Sequence, residues 1–178
     1  SLFSPPKRSK EFSNKFVYTI FANGDLSVDC TLIKENENLP YLPRYGFLLN
    51  PNEKLFDRVE WEGFGPNENY CDYKEAAMVG VYSKDIKDMF YEYVSPQENG
   101  ERCGVSHLSL FGKNGEKLSV YAKGDFFSFK VNDFIVKDLL KARHITDLKR
   151  GETLELAIDG YFSGVGSNSC GPELPEDK

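Results

Sequence analysis

Leu26, Val28, Cys30 and Leu32 alternate with Ser27, Asp29 and Thr31, and this two-residue period returns along most of the chain. Such a period places successive side chains on opposite faces of an extended strand, so it commits the chain to half-buried β-structure. A second extended run, residues 16–21, lies across Asn23-Gly24. Asn-Gly supplies the positive φ angles of a type I′ turn, which predicts a hairpin. Further strands are expected at residues 45–49, 55–61, 79–82, 89–94, 105–111, 118–122, 126–131 and 154–159. Many short strands with turn signals between them indicate an all-β sandwich or barrel. One short helix is expected at 136–143, where Val136, Leu139 and Leu140 share a face. Ile135 precedes it and offers no capping oxygen, so packing must hold it. Residues 1–14 carry Ser, Pro and Lys without periodic apolar positions and read as a loose leader. Residues 15–178 read as one folded domain.

Composition narrows the function classes. The formal net charge is −6. Apart from Lys7, Arg8 and Lys10, the basic residues are scattered, which argues against a nucleic-acid partner. No apolar run is long enough to span a bilayer, and no signal peptide is visible, so a membrane partner is not expected. Cys30, Cys71, Cys103 and Cys170 are widely spaced, with only two histidines, so no metal site is expected. Free thiols in a reducing compartment fit this spacing, giving a cytoplasmic location with a periplasmic one as the alternative. Aromatic residues make up 14% of the chain, and core and cross-strand packing accounts for most of them.

Two loops concentrate polar residues. In residues 61–74, Gly63, Gly65 and Pro66 fix the backbone path, and Asn67, Glu68, Asn69, Tyr70 and Asp72 follow as a dense hydrogen-bonding set. Gln97-Glu98-Asn99-Gly100 is a second polar turn, closely followed by Arg102. Glu68 and Glu98 invite comparison with a glycosidase carboxylate pair, which in retaining enzymes stands about 5 Å apart. The structural reading is preferred: Glu68, Asn69, Tyr70, Asp72, Glu98, Asn99 and Arg102 form a polar junction between loops, with Arg102 bridging acceptors. His107, on an alternating strand, is expected to be partly buried and hydrogen-bonded. His144 is expected to close the short helix against its last carbonyls.

Four ordered stretches carry a resemblance. Residues 63–72 are similar to Gly-x-Gly-Pro-x-Glu-Asn-Tyr-x-Asp, and residues 93–102 to Tyr-x-x-Pro-Gln-Glu-Asn-Gly-x-Arg. Ala142-Arg143-His144 matches a short Ala-x-His, and residues 164–172 resemble Gly-Val-Gly-Gly-Asp-x-Ser-Trp-Gly-Pro. Together they resemble the C-terminal domain of the large beta-galactosidases of glycoside hydrolase family 2. The resemblance implies a galactose-mutarotase-like antiparallel supersandwich, part of a larger enzyme that hydrolyses terminal beta-galactosides. It implies that the catalytic carboxylates, and any Mg or Na ions, belong to a separate barrel domain. This chain would then supply no catalytic residue and bind no cofactor itself. Its partners would be the barrel and other domains of the parent, with the galactoside met through the parent's active site. The chain also reads as a partial domain, which predicts self-association of the isolated piece through unpaired edges. The resemblance further implies a substrate-edge loop at Gly166, Asn168, Ser169 and Cys170, where Cys170 stands in place of a stacking Trp. Two other readings remain open at this point: a free-standing carbohydrate-binding module, and an aldose-epimerase-like enzyme. The latter needs a His–carboxylate pair facing a cleft.

Overall fold

The computed structural model describes residues 12–36 and 42–166. Residues up to Tyr41 and from Leu42 onward form two compact units. The first is an antiparallel hairpin of β1 (Phe12–Ile20) and β2 (Leu26–Lys34), in register from Phe12↔Lys34 to Ile20↔Leu26. β1 thus begins three residues before the expected start of folded structure. The turn is also longer than a type I′ turn. Gly24 N donates to Phe21 O, and Phe21 N donates to Asp25 O. The loop is Ala22-Asn23-Gly24, with Gly24 at φ +91° as the bulge residue. A three-residue loop of this kind matches strand twist as well as the two-residue turn does. The Asn23 side chain accepts from Asp25 N, so the asparagine still organises the turn.

The second unit is a sandwich of two four-stranded antiparallel sheets. One has the order β3 (Arg44–Leu49), β10 (Glu155–Phe162), β9 (Phe127–Asn132), β6 (Arg102–Val105). The other runs β5 (Met78–Asp85), β4 (Arg58–Gly65), β7 (His107–Phe111), β8 (Lys117–Tyr121). Alternation dictates their inner faces. Val59 and Trp61 on β4 and Leu108 and Leu110 on β7 meet Val105, Phe127, Phe129, Val131 and Leu156 from the first sheet. Trp61 lies edge-on to Phe129 at 5.7 Å between centroids and donates its indole N–H to Phe64 O at 3.0 Å. The buried indole therefore contributes its full apolar surface without stranding its polar handle. Gly63 sits where β4 passes beneath β6: a Cβ there would lie 2.8 Å from a Val105 methyl and 2.9 Å from Gly104 O.

Four expectations change against these elements. The run expected as one strand at 105–111 is divided at Ser106. β6 ends in one sheet and β7 begins in the other, with Ser106 N donating to Glu62 O at the crossing. Residues 89–94 form no strand. Tyr91 N and Tyr91 O are instead satisfied by the Asn99 side-chain amide, at 2.9 and 2.8 Å, so an amide takes the place of a neighbouring strand. The expected helix is a 3₁₀ turn, Val136–Leu140, with no side-chain cap at Ile135. Further 3₁₀ turns occupy Ile86–Asp88 and Ile145–Asp147. His144 does not close the helix. It opens the last of these turns, where Asp147 accepts from the backbone N–H of both Arg143 and His144. Around these turns Phe90, Phe134, Leu139 and Leu148 make a second small core.

The sheet crossing can be checked directly. Gly63→Ala should lower stability by about 1–3 kcal/mol, because the new methyl meets backbone as well as a flexible side chain. A fall in the urea midpoint with unchanged slope is the expected reading. An unaltered midpoint would show that the sheets do not meet as closely at β4 and β6.

Candidate functional site

The two polar loops do come together, and their first task is to satisfy backbone. Asn69 is fully buried. Its side chain donates to Asn67 O at 2.9 Å and accepts from Cys103 N at 2.9 Å, while its own backbone N donates to Glu101 O at 2.9 Å. Glu68 accepts from the Tyr93 hydroxyl at 2.5 Å and from Gly100 N at 2.8 Å. The bond to Glu68 pushes the Tyr93 hydroxyl up to about 12. Asn99 donates to Gln97 O at 3.1 Å besides holding Tyr91. Arg102 is buried; its guanidinium donates to Gly100 O at 2.6 Å and lies over the Trp61 ring at 5.6 Å. Longer bonds reach Met89 O and Pro66 O, at 3.3 and 3.4 Å. Burial pulls the Arg102 pKa down to about 10, against the opposing pull of Glu68, Tyr70 and Glu101. Tyr70 is buried against Phe162, and burial, with the nearby Glu68 charge second, raises its pKa.

Asp72 ties the junction to the end of the described chain. Its two carboxylate oxygens accept from Val165 N at 3.0 Å and Gly166 N at 2.7 Å. A Cβ on Gly164 would lie 2.1 Å from the Asp72 carboxyl carbon, so only glycine lets this carboxylate in. Asn168, Ser169 and Cys170 lie outside the described residues.

A second cluster, which sequence reasoning missed, stands on the first sheet. Arg44 donates to Asp159 at 2.6 and 2.8 Å, to Glu98 at 2.6 Å, and to Glu101 at 3.3 Å. Lys130, buried, also bonds Glu98. The sequence signal existed only in part. Lys130 interrupts the apolar run of β9, but the residues that neutralise it are far away along the chain. Burial pushes Glu98 up, yet Lys130 and Arg44 outweigh it and hold this carboxylate below its ordinary range. Glu101 behaves oppositely. It is 1% exposed, one of its oxygens has no partner, and burial together with the Asp159 charge pushes its pKa up to about 8.

Glu68 holds a backbone amide and a phenol, and Glu98 is clamped by two cations. A carboxylate held low by two cations, as Glu98 is, does not suit a general acid, which needs a raised pKa. His107 stacks on Tyr121 at 4.4 Å and shares a hydrogen bond with Ser109 at 2.9 Å, in keeping with the structural expectation. Among the described residues, no group of three or more His, Cys, Asp and Glu side chains could hold a metal ion. No described helix is long and apolar enough to cross a membrane.

Glu101 yields a pH prediction. Folding raises its pKa above the ordinary 4.5, so the folded chain holds this proton while the unfolded chain releases it. The associated stability is complete below that ordinary value and is lost progressively as pH rises towards about 8. Glu101→Gln removes this dependence. Its urea midpoint relative to the original chain should therefore rise between pH 5 and pH 8. A gap that stays constant with pH would mean that Glu101 is ionised throughout.

Comparison with known proteins places this geometry. The family described as "Beta galactosidase small chain" matches residues 3–177. The chain is 38% identical over 161 residues to the beta-galactosidase of Actinobacillus pleuropneumoniae, covering 89% of this chain and 15% of that protein. It is 38% identical over 159 residues to the beta-galactosidase of Kluyveromyces lactis, covering 88% and 15%. For the beta-galactosidase of Oenococcus oeni the identity is 34% over 157 residues, covering 88% and 15%. The chain thus spans about 15% of the length of these curated relatives.

Proposed function

The chain belongs to the beta galactosidase small chain family, and from that premise we propose that it serves as a non-catalytic sandwich domain within a beta-galactosidase that hydrolyses terminal beta-D-galactosides. The observation that carries this reading is the engagement of its junction carboxylates. Glu68, Glu98 and Asp72 are each held by backbone amides, a phenol or cations, so their role is to fix loops. Hydrolysis belongs, on this proposal, to carboxylates outside the chain, with any Mg or Na ions there as well.

The partners proposed are the other domains of the parent enzyme. Support comes from β5, a sheet-edge strand on which Met78, Val79 and Val81 are 68–72% exposed. An exposed apolar edge favours pairing or coverage by further chain. The same edge favours self-association when the chain stands alone. The active-site contribution is proposed for Gly166, which Asp72 anchors, and for the residues Asn168, Ser169 and Cys170 that follow it in sequence. The support is the motif likeness together with that anchoring.

Two measurements test the proposal. The purified chain should not release nitrophenol from nitrophenyl beta-galactoside, whereas the full-length protein should. Turnover by the chain, abolished by Glu98→Gln, would overturn the non-catalytic reading. In the full-length protein, Cys170→Trp should change KM across a series of aromatic aglycones by about three- to tenfold, because an indole restores a stacking face. Identical constants across the series would show that the loop does not reach the substrate.

A further inference from the structure

A cleft of about 390 Å³ opens beside the junction, between residues 67–73, the end of β5 and residues 88–93. Its size falls within the range of small-ligand sites, about 300–1,000 Å³. Its walls are aromatic. Tyr73 and Tyr91 are each 63% exposed, and Tyr91 leans on Tyr93 at 4.6 Å between centroids. These rings offer a broad apolar face and a hydroxyl to whatever enters the cleft.

The polar groups are mixed in kind. Lys84 and Arg102 contribute positive charge, and Glu68 and Asp88 contribute negative charge. Several of them have capacity to spare. The Lys84 ammonium, the Asp88 carboxylate and the Asn67 side-chain amide make no hydrogen bond among the described residues. Glu68 uses one bond on each oxygen and keeps lone pairs free. The Lys84 pKa is lowered, first by burial and then by Arg102, with Asp88 pulling the other way.

The charge balance selects the ligand class. An anion would gain from Lys84 and Arg102 but meet Glu68 and Asp88 in the same space. A cation would face the reverse. A neutral ligand carrying several hydroxyls can donate to the carboxylates and accept from the ammonium and amide, with its C–H faces against tyrosine. We infer that this cleft is a saccharide-binding site, recognising a neutral sugar through Tyr73, Tyr91, Glu68, Lys84 and Asp88. The inference rests on the cleft itself and does not depend on where the parent's hydrolytic residues lie.

The test uses the 178-residue chain with lactose, followed by backbone amide NMR shifts, and with galactose, glucose and sodium phosphate as parallel arms. Saturable shifts on lactose addition, clustered at Tyr73, Lys84 and Tyr91, are expected. Tyr91→Ala should weaken binding about three- to tenfold by removing an exposed face, and its unperturbed spectrum elsewhere would show an intact fold. Tyr73→Ala and Lys84→Met are second and third variants with the same expected direction. No saturable shift with any sugar, or sugar shifts that all three variants leave unchanged, would overturn the assignment. So would saturable binding of phosphate at these amides without sugar binding, which would make the cleft an anion site. Because the readout is binding by the chain alone, this result and the activity result for the full-length protein can fail independently.

Discussion

Buried backbone that lacks a neighbouring strand must find its hydrogen bonds elsewhere, and that constraint organises this sandwich. Residues between the 3₁₀ turn Ile86–Asp88 and β6 run over the first sheet without joining it. Side chains supply what a strand would have supplied. Asn99 answers both polar groups of Tyr91, Glu68 takes Gly100 N, and Arg102 takes Gly100 O. Asn69 performs the same service for Cys103 N. Asn69 and Asn99 are themselves satisfied by backbone at both ends of the amide, whereas the buried Arg102 Nε has no partner among the described residues. A junction of this kind cannot lose one member cheaply, since an orphaned buried partner costs about 1–3 kcal/mol.

Charge follows the same logic on the outer face of the first sheet. Lys130 is carried in by β9, whose two faces are both covered, and it needs an anion. Glu98 supplies it from the irregular segment, and Arg44 then links Glu98 to Asp159 and Glu101. Two cations face three carboxyls in this group. Full ionisation would leave an uncompensated buried negative charge, which a low-dielectric site penalises heavily. Retention of a proton on Glu101 removes that excess. The raised pKa of this one carboxyl is therefore a consequence of how many acids the loop brings to the sheet, rather than a sign of acid–base chemistry.

The sequence announces the strands whose neighbours are other strands. β2, β3, β8 and β10 fall close to the runs of alternation that predict them, because a period of two needs only one buried face. It fails where something other than a strand supplies the partner. Residues 89–94 look extended and apolar, but the amide of Asn99 closes their hydrogen bonds, and no periodicity reveals a side chain acting as a strand. The break at Ser106 is equally silent: Arg102–Val105 and His107–Phe111 read as one run, although they serve different sheets. The polar junction was legible as a set of residues, because Asn, Glu and Arg crowd two short loops. The ionic group was not, because Arg44 and Asp159 are separated by 115 positions and only the fold brings them together.

The cleft and the junction share a wall, and this overlap separates two kinds of residue. Glu68 and Arg102 line the cleft, yet each also holds the backbone at Gly100. A change at either would loosen the loop that carries Tyr91 and Tyr93, so any loss of ligand contact would be hidden beneath a loss of order. Tyr73 and Lys84 carry no such duty through their side chains, and the Tyr91 bonds to Asn99 run through its backbone. Recognition at this surface can therefore vary at Tyr73, Tyr91 and Lys84 while the junction beneath them, with the Tyr93–Glu68 bond, stays fixed. The geometry thus confines adaptable chemistry to the rim and reserves the buried charges and amides for holding the frame in place.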